Sequence, residues 1–176
     1  MSAEGTVPLI LTATLPPKLH GWATALRDQH FPPERNHLEA HVTLFHALPP
    51  SCEAELAGVL ARLAKDSAPP EAQLEGVLSL GRGTALKLSS PAMLALRDEI
   101  AEHFHGSLSA QDQHRPRLHI TVQNKVSPAE AKALQAELTP MVEPRAFAFR
   151  GFSLFRYRGG PWEPVREWTF RGARRG

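Results

Sequence analysis

The 176-residue chain has one cysteine, Cys52, and one tyrosine, Tyr157. A lone thiol forms no internal disulfide and leaves no cysteine cluster for zinc. No apolar run reaches the roughly 20 residues needed to span a bilayer, so no membrane partner is expected. The N-terminus lacks a basic stretch followed by an apolar segment and a small-residue cleavage site, so no secretory signal is read there. A reducing, cytoplasmic compartment is the simplest expectation. What is present is ordinary for one globular domain: 42% hydrophobic residues, 22% charged and a net charge of +2.

That charge is uneven. Eight arginines and two acids lie between Arg145 and Gly176, a net +6, which leaves the rest of the chain about −4. A basic end suits a polyanion such as a nucleotide or an RNA end, or else forms a solvated surface with a flexible tail at 172–176.

Nine histidines are also present. Two of them repeat a pattern, His41-Val42-Thr43 and His119-Ile120-Thr121, 78 residues apart and each inside an apolar, β-branched run. Side chains two apart on a strand share a face, so each copy sets an imidazole beside a hydroxyl and buries the residue between. Two such pairs on one cleft supply an acid, a base and two hydroxyl donors for a phosphate. Without that cleft they are two strand histidines with no chemistry.

The surroundings also repeat. A strand over 7–14 precedes a helix opened by Pro16-Pro17. The first motif strand, a helix capped by Ser51 and a hairpin around Gly81-Arg82-Gly83 follow. Ser90-Pro91 then opens a helix, 106–115 forms a polar loop before the second motif, and Ser127-Pro128-Ala129-Glu130 is a capping box. Strands over 146–157 and 162–170 flank Gly159-Gly160-Pro161. The landmarks recur at 74, 76 and 78 residues, which argues for two pseudo-equivalent lobes sharing one cleft within a single domain, 1–176.

Paired His-x-Thr motifs about 80 residues apart, in a chain of this length, resemble the 2H phosphoesterase superfamily, and most closely the bacterial 2′-5′ RNA ligase-like branch. The resemblance implies an α+β, bilobal, pseudo-twofold fold, with two antiparallel-rich sheets lining a central cleft and helices outside. It implies a metal-independent enzyme with His41, His119, Thr43 and Thr121 as catalytic residues; no cofactor and a monomer are expected beside it. Family members open 2′,3′-cyclic phosphates or related diesters on RNA ends or nucleotides, and some join or cleave 2′-5′ linkages. An arginine often follows the second motif there. Here the run is Val122-Gln123-Asn124-Lys125, with Lys125 as a point charge in its place.

Period-two spacing puts Phe45 on the face of His41, and Gln123 and Lys125 on the face of His119. Phe45 would stack a base or join the core, and Lys125 would meet a phosphate or solvent. Tyr157, Arg158 and Trp162 border the last glycine turn and would clamp a base or simply pack. His46 falls on the face opposite His41 if the strand is regular. Two rival functions stand beside a cyclic phosphodiesterase. One is a non-catalytic nucleotide- or RNA-binding module of the same fold, and the other is a metal-dependent hydrolase using some of the nine histidines.

Overall fold

A computed structural model describes residues 7–173. The expected order of elements is present. The first set is β1 (Leu9–Thr14), α1 (Pro17–His30), β2 (Val42–Leu48), α2 (Glu53–Asp66) and β3 (Glu71–Ser79). The second is β4 (Thr84–Ser89), α3 (Pro91–His103), β5 (His119–Gln123), α4 (Pro128–Leu138), β6 (Arg145–Ala148), β7 (Gly151–Tyr157) and β8 (Trp162–Thr169).

Two four-stranded antiparallel sheets form, in the orders β2-β1-β7-β8 and β5-β4-β3-β6. The two motif strands, β2 and β5, thus hold the same edge position in their respective sheets. They also approach each other across the molecule.

The helices bury their periodic apolar stripes. In α2 these are Leu56, Val59, Leu60 and Leu63, and in α4 Ala131, Leu134 and Leu138. Ser90 and Ser127 cap their helices as expected, each hydroxyl accepting from the backbone N–H three residues on. Ser51 does not cap α2. It lies inside a single 3₁₀ turn, Pro50–Cys52, and Cys52 takes the N-cap position with no side-chain bond.

The stretch expected as one strand over 146–157 is two. β6 pairs with β3 in one sheet, β7 pairs with β1 in the other, and Phe149 and Arg150 carry the chain across. Gly151 opens β7 where a Cβ would lie 1.9 Å from the Trp168 carbonyl oxygen, so any side chain there would force the strands apart. At the C-terminus the Gly172 N–H donates to the Ser67 carbonyl at 2.9 Å. Residues 174–176 lie outside the described residues.

Candidate active site

Two hydrogen bonds of the same form set the histidines. His41 Nδ1 lies 2.8 Å from the carbonyl oxygen of Glu39, and His119 Nδ1 lies 2.6 Å from that of Arg117. A carbonyl only accepts, so Nδ1 carries the proton in both rings. Each Nε2 is therefore the atom free to take or give a proton. Both half-buried rings line one cleft of about 570 Å³, with Thr43 and Thr121 beside them.

Burial pushes the His41 imidazole down to about 4. The Glu39 carbonyl opposes this, while the positive charges of Arg27, His119 and His46 add to it. His41 is thus a neutral ring across the physiological range.

The strands are regular up to each threonine and irregular just after it. Thr43 pairs with Thr12 but Phe45 with Leu11, so Leu44 is an extra residue on β2. Thr121 pairs with Ala85 but Gln123 with Thr84, so Val122 is the extra residue on β5. A bulge shifts the alternation by one and turns the following side chains over. Two expectations fail for this one reason. Phe45 is fully buried beneath the Arg97 guanidinium, 4.2 Å from the ring centroid, and reaches no ligand. Gln123 is 6% exposed and accepts from the Thr84 hydroxyl at 2.9 Å, inside the protein. The same flip brings His46 into the cleft, against the regular-strand expectation.

Of the other expected ligand contacts, Trp162 lines the cleft, its ring 4.6 Å from that of His41. Lys125 does not. It is exposed in a left-handed turn (φ 59°) after β5 ends. Tyr157 and Arg158 also lie outside the lining, and Arg158 is bound to the Glu163 carboxylate.

The positive charge of the cleft does not come from the basic C-terminal segment. Arg156 pairs with Glu53 at 2.8 Å and with Glu163, while Arg145 and Arg166 lie over Trp22 and Trp168. The cleft is lined instead by Arg97, Arg117 and Arg115, the last also paired with Asp98 at 2.6 Å, with Gln111, Asp112 and His114 from the loop before β5. Asp112 is 1% exposed and fastens that loop to β2, accepting from the backbone N–H groups of His46 (2.8 Å) and Ala47 (2.9 Å). Burial alone would raise its carboxyl, but the His46 ring and these two N–H groups outweigh that and hold it below the usual range.

Arg27 and Arg97 brace the cleft from behind. From α1, Arg27 donates to the Thr121 carbonyl at 2.9 Å. From α3, Arg97 donates to the Leu44 carbonyl at 3.3 Å. Each arginine ties a helix that precedes one motif strand to the other motif strand. The sequence signal for this loop and brace was faint: the run His114-Arg115-Pro116-Arg117, one residue before the second motif, and an arginine in each of α1 and α3. Among the described residues no group of three or more His, Cys, Asp or Glu could hold a metal ion. No described helix is long and apolar enough to cross a membrane.

Known structures share this architecture. TT0787 of Thermus thermophilus superposes with a TM-score of 0.64 at 19% identity, over 95% of this chain and all of that one. E. coli LigT complexed with 3′-AMP gives 0.61 at 19% identity, over 93% of this chain and 98% of that one. A crystal structure described only as a phosphoesterase gives 0.61 at 19%, over 94% and 98%. No curated protein sequence matches. The profile of the 2′-5′ RNA ligase superfamily matches residues 15–161, most of the chain. The chain therefore belongs to the 2′-5′ RNA ligase superfamily, within the 2H phosphoesterases, and has their two-sheet α+β fold.

Proposed function

We propose that the protein is a metal-independent phosphodiesterase that opens a 2′,3′-cyclic phosphate, or a related cyclic or 2′-5′ diester, on an RNA 3′ end or a nucleotide. The observation that carries this reading is the matched pair of imidazoles, each donating its Nδ1–H to a backbone carbonyl two residues before it and each accompanied in one cleft by its motif threonine. A protein of the same fold forms complexes with nucleotides, which supports this reading: E. coli LigT has been solved with 3′-AMP, with NADP+ and with ATP.

The proton roles follow from charge. His41 is neutral, so its Nε2 accepts a proton from the attacking water as the new P–O bond forms. His119, entering the step as the imidazolium with protons on both nitrogens, gives its Nε2 proton to the departing ribose oxygen as the ring P–O bond breaks. One water is consumed and a phosphate monoester remains. Thr43 and Thr121 donate to the non-bridging oxygens, and Arg115 and Arg117 supply positive charge along the cleft for upstream phosphates.

The test is incubation, with EDTA present, of the four nucleoside 2′,3′-cyclic monophosphates and short RNAs ending in that group. Turnover that survives chelation, and that falls by about 10²–10⁴-fold in His41→Ala and in His119→Ala, is the expected result. Nucleotide binding without turnover on any cyclic or 2′-5′ diester would leave a recognition module instead. Turnover abolished by EDTA would point to a metal hydrolase.

A further inference from the structure

A second cavity, of about 260 Å³, adjoins the cleft and shares with it only His41 and Trp162. Its chemistry is of the opposite kind. No arginine or lysine lines it, whereas two carboxylates do, Glu39 and Glu167. A phosphate would be repelled there.

One wall follows from the register of the sheet. Thr43 pairs with Thr12, Thr12 with Ser153, and Ser153 with Glu167, so four polar side chains stand in a row across four strands on one face. Thr14 joins them, its hydroxyl 2.6 Å from that of Ser153. Thr12 is 3% and Ser153 5% exposed, which is costly for hydroxyls without partners. Their protons are directed inward. Thr12 donates to the Ser153 carbonyl, and Ser153 donates toward Glu167 Oε1 at 3.4 Å. With Ser153 donating to Glu167, Thr14 donates to Ser153. What this row leaves for a ligand is acceptors: hydroxyl lone pairs and the Glu167 carboxylate. Glu39 faces His20 at 3.6 Å, whereas Glu167 makes no salt bridge among the described residues. Phe155, two residues beyond Ser153 on β7, continues this face, and with Trp162 and Pro164 it forms the apolar part of the lining, its ring 5.5 Å from that of Trp162 and tilted 55° to it.

We propose that this cavity holds the nucleobase of the nucleotide whose phosphate lies between His41 and His119, and that it selects a base whose edge donates hydrogen bonds, guanine foremost. This rests on the phosphodiesterase reading above. The base of a 2′,3′-cyclic nucleotide hangs from the carbon next to the one bearing the 2′ oxygen. It must therefore sit within a sugar's width of the phosphate, where this cavity meets His41. Guanine carries adjacent ring N–H and amino donors that match the two oxygens of one carboxylate. Adenine and cytosine offer a single amino group on that edge. Uracil sets carbonyl oxygens on both sides of its N–H and would turn them against Glu167.

The experiment measures kcat/KM of the full chain for the four nucleoside 2′,3′-cyclic monophosphates, then repeats it with Glu167→Gln. This replacement keeps the shape of an exposed side chain, so folding is not at stake. The wild type should favour guanosine over uridine by about tenfold, the size of one good bidentate contact. Glu167→Gln should bring that ratio near one through KM, raised for guanosine and lowered for uridine, whose carbonyls no longer face a carboxylate. Equal rates for all four bases in the wild type, or an unchanged ratio in Glu167→Gln, would overturn the proposal. If no cyclic substrate turns over, the phosphodiesterase reading has failed, and calorimetry with guanosine and uridine 2′-monophosphates still decides on the cavity. Tighter guanosine binding that is lost in Glu167→Gln supports it, and equal or absent binding refutes it.

Discussion

His41 is a base kept neutral by its surroundings, and this has two consequences that can be separated. Because its folded value is about 4 against an ordinary value near 6.5, it stays ready to accept a proton well into acid. The acid limb of kcat/KM should therefore fall near pH 4, and a limb near 6.5 would show that the ring is not desolvated in solution. The same shift is a stability statement. Between pH 6.5 and 4 the unfolded chain binds a proton at this position and the folded chain does not, so stability falls as pH falls through that window. The loss from this ring is roughly 3 kcal/mol at most. Urea denaturation at pH 7 and pH 4 should show a smaller pH-dependent loss in His41→Asn than in the wild type. Equal losses would mean that His41 titrates normally in the folded protein.

At the scale of single elements, the motif residues were legible because the strand period holds as far as each threonine. It fails one residue later. Leu44 and Val122 read as ordinary apolar strand positions, and nothing in their identity marks a bulge; the partner strand sets it. Hence His41, Thr43, His119 and Thr121 were placed together from sequence, while Phe45, Gln123 and His46 were assigned to the wrong faces. Helix starts show a similar contrast. Ser51, Ser90 and Ser127 all read as caps, yet the two prolines before Ser51 open a 3₁₀ turn that takes it in. Ser90 accepts from the Met93 N–H and also donates to the Glu71 carbonyl at 2.7 Å. Ser90→Ala should therefore cost about 1–2 kcal/mol, and Ser51→Ala close to nothing. Chemical denaturation of the two variants side by side checks this, and equal costs would refute the assignment of the caps.

Across the whole molecule, the repeat in the sequence is not a pair of separable lobes. The order strand, helix, motif strand, helix, strand does occur twice, which is why the period was visible. The two sets exchange strands between the sheets: β3 of the first set stands beside β4, and β7 of the second stands beside β1 and carries β8 with it, while β6 stays in the sheet of β4 and β5. Arg27 and Arg97 tie the two halves again at the motif strands. Such an exchange is invisible to local pattern, since a strand's sequence does not name its neighbour. It also bears on the chemistry, because two edge strands from different sheets meet only if both sheets are complete. We therefore expect 1–176 to behave as one cooperative unit, with a single calorimetric transition. Division of the chain in the turn between β3 and β4 would leave β1 without β7, and β3 without both β4 and β6. Neither half alone should give sigmoidal thermal unfolding by circular dichroism, because each would expose one face of an incomplete sheet and the edges meant for the other half. A half that melts cooperatively by itself, or two resolved transitions in the intact chain, would show instead that each lobe carries its own core and that the cleft forms by docking.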